Sequence, residues 1–346
     1  MAQINKPSDY FNTVLYTGNG ATDTAQTGVG FQPDWTWIKA RSIGYDNNLF
    51  DVVRGSTKRL IANATTAETT QTEMIKSFDS DGFTLGNDAG VNANTETFAS
   101  WNWLADNTSG SANTDGSISS TVSASTTSGF SIVTYDGTGS AGATVGHGLG
   151  VAPSMILAKK MDGAASNWAV YHKSLGATKY LILNSTTASV TSNTRWNNVE
   201  PTSSVFTVGS SGDVNNNGET VVAYCFAEKK GYSKFGSYTG NNLDDGTFCY
   251  TGMKPSFVMI KRTDSTSEWN IYDVKRNPFN LTNLELEANT SDAEANVSER
   301  EIDILSNGFK LRGRSTFINA PGGSYIYMAF AENPFVTSTG IPTTAR

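Results

Sequence analysis

The sequence predicts an all-β chain made of three tandem antiparallel β-sandwich, jelly-roll-like modules. Three observations carry this. Short apolar runs, rich in aromatic and β-branched residues, alternate with turns of Gly, Asn, Asp and Ser, which is the pattern of antiparallel strands. Only 16% of the 346 residues are charged, whereas long helices favour Ala, Leu, Glu and Lys. One set of landmarks also recurs three times in the same order, as internal repeats do.

Each copy opens on a tyrosine and a turn: "YTGNG" from Tyr16, "YDGTG" from Tyr135 and "YTGNN" from Tyr238. Pro33, Pro153 and Pro255 follow 17, 18 and 17 residues later. Proline is tolerated at the start of a strand, where its missing N–H costs little. The runs "WTWI", "MILA" and "FVMI" come next, and then Lys39, Lys159 and Lys261, six places past each proline. A run apolar at consecutive positions reads as a central strand covered on both faces, with the lysine ending it at solvent. Trp35 is matched by Met155 and Phe257, and Trp37 by Leu157 and Met259. The positions stay large and apolar without staying aromatic, so they are read as core and not as a sugar-stacking platform.

The register continues through Asp51, His172 and Asp273, then Phe83, Phe206 and Phe309, then Val91, Val214 and Ile318. Each copy closes on an apolar strand and an acid, at Asp106, Glu228 and Glu332. In the last of these strands Tyr325 and Tyr327 share one face, and Ile326 and Met328 the other. The stretch "ATTAETTQTEMIKSF" (64–78) is rich in threonine and is read as loop and strand, not helix.

These landmarks place an N-terminal segment at 1–10 and the modules at 11–106, 130–228 and 232–332, with a C-terminal tail at 333–346. Residues 107–129, "NTSGSANTDGSISSTVSASTTSG", are rich in Ser, Thr and Gly and are expected to form a flexible tether. Only "KKG" at 229–231 separates the second and third copies. The expected arrangement is therefore one module, a tether and a close pair. The first module holds four of the seven tryptophans, Trp35, Trp37, Trp101 and Trp103, which marks it for a distinctive role.

The net charge of −7 argues against nucleic-acid binding, which needs a concentrated positive surface. Cys225 and Cys249 fall in expected strands and read as small buried hydrophobes, not a disulfide framework. The opening "MAQINKPSDYFN" lacks a signal-peptide apolar region, and no run is long enough to span a bilayer. Synthesis in a cytoplasm without membrane insertion is expected. The triplets beginning at Asn63, Asn184 and Asn280 are attributed to chance in a chain so rich in Asn, Ser and Thr.

Chemistry is sparse. His147 lies in the turn "GHGLG" and His172 stands where the other copies carry Asp; neither belongs to a metal-spaced pair. No G-x-S-x-G elbow is present. The glycine-rich "GSAGATVGHGLG" (139–150) lacks the Lys-Ser/Thr of a phosphate loop and is read as a hairpin loop. Asp213, Asn215, Asn217 and Gly218 match the first half of a calcium loop, but its twelfth position is Tyr224, so an Asx-rich turn is expected. The acid pairs Asp79/Asp81 and Asp244/Asp245 lie in turns, and no acid set recurs as a shared glycosidase cleft would require. No catalytic, cofactor-binding or metal-ligating residue is assigned, no cofactor is expected, and the chain is read as non-enzymatic.

The string "NKPSDYFNTVLYTGNG…TGVGFQPDWTWIK…LFDVVRG…SFDSDGFTLG…VNAN…ASWNW" resembles an uncharacterised β-rich repeat module of structural proteins from tailed, mostly marine, bacteriophages. Proteins carrying it are described as tail-fibre-like or concanavalin-like virion components. The resemblance is closest in the first copy and implies a virion location, with no catalytic residue to transfer. It leads to the expectation of a surface-exposed tail-fibre or receptor-binding component, with a capsid decoration protein bridging capsomers as the alternative and a polysaccharide-degrading enzyme as a third reading. Expected partners are other virion proteins and a host surface glycan or receptor, and a homo-oligomer is expected by analogy with fibres.

Overall fold

The strand that follows Pro33 or Pro153, and the one that contains Pro255, lies inside a sheet, between two antiparallel neighbours. This is seen in the computed structural model, which describes residues 1–344. Trp35–Ala40 pairs with Thr97–Trp103 on one side and Asn48–Asp51 on the other. Met155–Lys160 lies between Thr220–Phe226 and Ala169–His172. Met253–Arg262 lies between Ser324–Pro334 and Trp269–Asp273. Each sheet extends outward in the same order. An opening strand (Phe11–Thr17, Phe130–Asp136 or Ser233–Thr239) flanks the closing strand, and two further short strands lie beyond the other neighbour. Each large sheet has a small companion: Thr24–Thr27, Gly82–Leu85 and Ile75–Asp79; Ala143–Gly146 and Val205–Val208; Phe248–Tyr250, Gly308–Leu311 and Ile302–Leu305. Among the described residues the fold is all-β, with antiparallel strand pairing throughout these sheets and only single-turn helices, one before the first strand and the others between strands.

Alternation along the central strand explains its apolar run. Ile38, Ile156, and Val258 with Ile260 face the small companion sheet of their own copy and join three separate clusters. Trp35 with Trp37, Met155 with Leu157, and Phe257 with Met259 face the opposite way, into one cluster common to all three copies. Trp35 stacks on Tyr224 of the second copy at 4.5 Å, and Phe11 stacks on Phe330 of the third at 5.0 Å. The three large sheets thus enclose a shared aromatic centre. Trp35, Trp37, Trp101 and Trp103 are buried there, which settles them as core. The tryptophan-rich first copy contributes those side chains to the interior and not to a surface role.

Residues 107–129 depart from the expected tether. Ser120–Ser125 pairs antiparallel with Phe130–Asp136, and Ser111–Asn113 pairs with Ser120–Ser125, extending the second large sheet to eight strands. A strand added at an edge needs backbone donors and acceptors, with few apolar side chains of its own. Val122 and Ser123 are buried, and the Ser123 hydroxyl donates to Asp106 at 2.5 Å. The picture of a tethered first module beside a close pair is corrected accordingly. The stretch 64–78 is loop and strand, as expected, with strands at Thr69–Thr70 and Ile75–Asp79.

The Tyr-Gly turn and the later Val/Ile-Asn motif prove to be two halves of one joint. Tyr16, Tyr135 and Tyr238 donate their hydroxyls to the carbonyls of Val91, Val214 and Ile318 at 2.7–2.8 Å. The following asparagines, Asn92, Asn215 and Asn319, are buried. Each accepts an N–H from the Tyr-Gly turn (Asn19, Thr138 or Asn241) and donates its amide to two carbonyls. The turn glycine lets the backbones approach. A Cβ on Gly18, Gly137 or Gly240 would lie 2.2–2.3 Å from a backbone oxygen of that motif. Gly137→Ala is therefore expected to destabilise the chain by about 2–3 kcal/mol, since the obstacle is backbone. A denaturant midpoint unchanged from the parent would contradict this joint.

Candidate functional site

The recurring polar residues meet at three equivalent junctions between copies. The buried Lys39 ammonium donates to Tyr45 O in its own copy and to Ser291 O in the third. Lys159 donates to Ser166 O and to Thr65 O of the first copy, and Lys261 to Ser267 O and to Thr186 O of the second. The lysines do not end their strands at solvent; each reaches a neighbouring copy, and the contacts run second to first, third to second and first to third. Burial lowers all three to about 8. The same cycle recurs one layer over. Trp168 Nε1 donates to Ile61 O, Trp269 Nε1 to Ile182 O, and Asn47, which stands at that place in the first copy, donates to Glu287 O. These contacts close the three copies into a ring.

Asp51, His172 and Asp273 lie at the same junctions. Asp51 binds Arg54 at 2.5 Å and accepts the Tyr224 hydroxyl at 2.7 Å. Asp273 binds Arg276 at 2.5 Å and accepts Trp101 Nε1–H at 3.1 Å. The residue of the third copy equivalent to Trp101 and Tyr224 is Met328, which has no such donor. There the acceptor is exchanged as well. His172 takes the place of the aspartate, Leu175 that of the arginine, and Met328 lies beside the imidazole. His172 Nδ1 accepts the Ser174 N–H and Nε2 faces Tyr327 O at 3.2 Å, so the proton sits on Nε2.

Burial pushes His172 down to about 4, with the Lys173 charge adding to the effect. The unfolded chain holds this histidine near 6.5, so protons bind the unfolded state first as pH falls. Its contribution to stability is complete above pH 6.5 and is lost progressively toward pH 4. Between pH 7 and pH 5 the loss is expected to be about 2 kcal/mol. His172→Gln should flatten that part of the urea-denaturation profile, and an identical slope in both proteins would refute the assignment.

The other residues singled out by sequence are engaged in local structure. His147 is buried, with Nδ1 accepting from Leu149 N–H and Nε2 on Thr202 O, and burial lowers its pKa. Asp213 pairs with Arg195 and accepts the Asn167 N–H. Asn215 is the buried asparagine of the Tyr-Gly joint, so the half-calcium loop is an asparagine-held turn. Asp79 accepts the Ser77 and Thr84 hydroxyls, while Asp81 accepts the Gly28 and Gly30 N–H groups, which lower its pKa. Asp244 pairs with Arg314, and Asp245 with Lys310. Cys225 and Cys249 are buried free thiols, raised by burial. Among the described residues no three His, Cys, Asp or Glu side chains gather as a metal site would need, and no helix is long and apolar enough to cross a membrane.

A cleft of about 340 Å³ opens where the chain's two terminal segments meet the turn between the second and third copies. It is lined by Glu228, Lys230, Ser233, Lys234, Tyr250 and Phe335, among others. Glu228 is held by Lys234 at 2.7 Å and by Lys173 at 2.5 Å, and despite its partial burial the two lysines lower its pKa. Lys230 is exposed. Tyr250 is 59% exposed, on the same strand face as Phe248.

A family model described as a domain of unknown function (DUF7483) matches residues 6–334. The chain belongs to the DUF7483 family. No curated protein and no solved structure matches it. The DUF7483 match runs across all three copies, the same stretch that the ring contacts and the shared core join into one body. One recurring feature of that body escaped the sequence reading. Asn63, Asn184 and Asn289 occupy equivalent places and accept the N–H groups of Asn47, Trp168 and Trp269. Each is followed by two small residues ("NAT", "NST", "NTS") at a similar distance past its lysine, a signal masked by the abundance of such triplets.

Proposed function

We propose that this chain is a non-enzymatic structural protein of a tailed-bacteriophage virion, exposed on the tail as a fibre or receptor-binding component in host attachment. The observation that supports the reading most is the use made of the recurring polar residues. The repeated lysines, the Asp/His positions and the asparagines all bind copy to copy or turn to turn. The chain's most regular polar chemistry therefore builds a framework, as suits a body that must keep its shape outside a cell without disulfides. The resemblance to phage virion modules points the same way, and other virion proteins and a host surface glycan are the partners it would meet.

A capsid decoration role is the second reading. A flexible tether at 107–129 able to span neighbouring capsomers would favour it, and the pairing of Ser120–Ser125 with the second sheet removes that support. Gold-labelled antibody against the chain on intact particles, viewed by electron microscopy, tests both. Label at the tail tip or fibres is the expected result. Label over the head would replace attachment with decoration, and unlabelled particles would overturn both.

A further inference from the structure

We propose that the cleft beside Tyr250 binds an acidic saccharide, one sugar ring lying on the tyrosine and its carboxylate reaching the lysines of the 228–234 turn. The inference rests on the binding role above and names its ligand class. Three observations carry it.

The first is a departure from the repeat. Strand pairing aligns Tyr250 with Gly308, Thr27 with Gly82, and Gly146 with Val205, so Tyr250, Thr27 and Gly146 are equivalent. Phe248 is likewise equivalent to Ala25 and Thr144. Only the third copy puts aromatic rings at these positions, and they stand 43% and 59% exposed. An exposed pair of large aromatics is informative in a way a scattered apolar residue is not. Tyrosine suits a surface that is apolar at one end and wet at the other.

The second is the floor beneath the rings. Tyr250 lies opposite Gly308, which has no side chain to raise against a ligand. Gly252 follows at φ +72°, and a Cβ there would lie 3.5 Å from the Tyr250 hydroxyl. Glycine at 252 thus adds no side chain against the ring, which stands 59% exposed. Two residues along the strand, Phe248 continues the same face.

The third is charge. The chain carries a net charge of −7, yet among the described residues Lys230 and Lys234 line this cleft against one carboxylate, that of Glu228. That carboxylate is already shared between Lys234 and Lys173. Lysine presents a compact point charge with several donors, which suits a carboxylate without demanding one fixed geometry. A cleft of about 340 Å³ lies at the small end of ligand pockets and suits a short oligosaccharide end, not a large cofactor.

The test is calorimetric titration of the intact protein with an oligogalacturonate, and with a neutral glucan of equal length, at low and high salt. Heat with the acidic sugar and none with the neutral one is expected. Tyr250→Ala and Lys230→Gln should each weaken binding by about tenfold or more. Both residues are exposed, so the fold should persist, which a circular dichroism spectrum checks. Phe279→Ala, at another exposed aromatic, should change nothing. Equal affinity for the neutral glucan would overturn the acidic specificity. Equal affinity for polyglutamate or inorganic phosphate would make this a plain anion site and overturn the saccharide. Binding that survives Tyr250→Ala, or no heat at about 10 mM sugar, would overturn the site. Gold label on the tail with no saccharide bound would refute this inference alone.

Discussion

Trp35→Ala is expected to destabilise the entire chain by about 3–5 kcal/mol, the usual cost of emptying a fully buried tryptophan site. The indole is packed against Trp103 at 4.5 Å in its own copy, and against Tyr224 at 4.5 Å and Phe130 and Phe226 at 5.8 Å in the second. Those rings in turn reach Phe257 and Phe330 of the third copy through Trp103 and Phe226. The cavity would therefore open in a cluster that all three copies share, with bulky neighbours on every side unable to collapse into it. The loss should appear as one earlier cooperative transition, because no copy keeps a complete second face once this centre is gone. Two or three separated transitions in calorimetry, with only the first moved by the substitution, would show the copies folding independently and would contradict the shared centre.

The landmarks that were legible in the sequence are those set by side-chain identity at a fixed place on one strand. The Pro-led central strand, the Tyr-Gly turn, the Val/Ile-Asn motif and the closing strand all appear where their residues stand. The two-sided burial of the central strand was legible because consecutive apolar positions leave no face for water. The identity of the cover was not. Trp35 and Ile38 are both apolar, and nothing in their order says that one meets a neighbouring copy and the other its own small sheet. Lys39, Lys159 and Lys261 misled for a related reason. A lysine at a strand end usually marks solvent, but here loop carbonyls of the adjacent copy receive the ammonium, and those carbonyls leave no trace in side-chain sequence. Residues 107–129 were opaque because an edge strand is held by backbone bonds. In the candidate cleft, "KKG" reads as a bare connector and Tyr250 as one more strand aromatic. Only the strand register shows that Tyr250 faces outward while its counterparts are Thr27 and Gly146.

Arg276→Leu is the second substitution expected to cost about 3–5 kcal/mol, since it strands a buried carboxylate. Both side chains of the Arg276–Asp273 pair are fully inaccessible. Asp273 would keep the Trp101 indole and the Lys275 and Arg276 backbone N–H groups, none of them a full charge. Glu294 would lose Arg276 but keep Arg41 at 2.7 Å, so the damage should centre on Asp273. The chain itself supplies the compensated version, because the equivalent junction uses His172, Leu175 and Met328. Writing that set into the other junction, as Asp273→His with Arg276→Leu and Trp101→Met, removes the stranded charge and the unmatched donor together. Replacing a buried ion pair by residues of matched polarity is often close to neutral, whereas removing one partner is not. The triple variant should therefore be more stable than Arg276→Leu alone, despite carrying two more changes in the core, and urea midpoints at pH 7.5 give the comparison. It should also acquire a second histidine-like loss of stability below pH 6.5, by the same linkage as His172. A triple variant weaker than the single one would mean that the junctions are not interchangeable, and that the ring is held by packing particular to each contact.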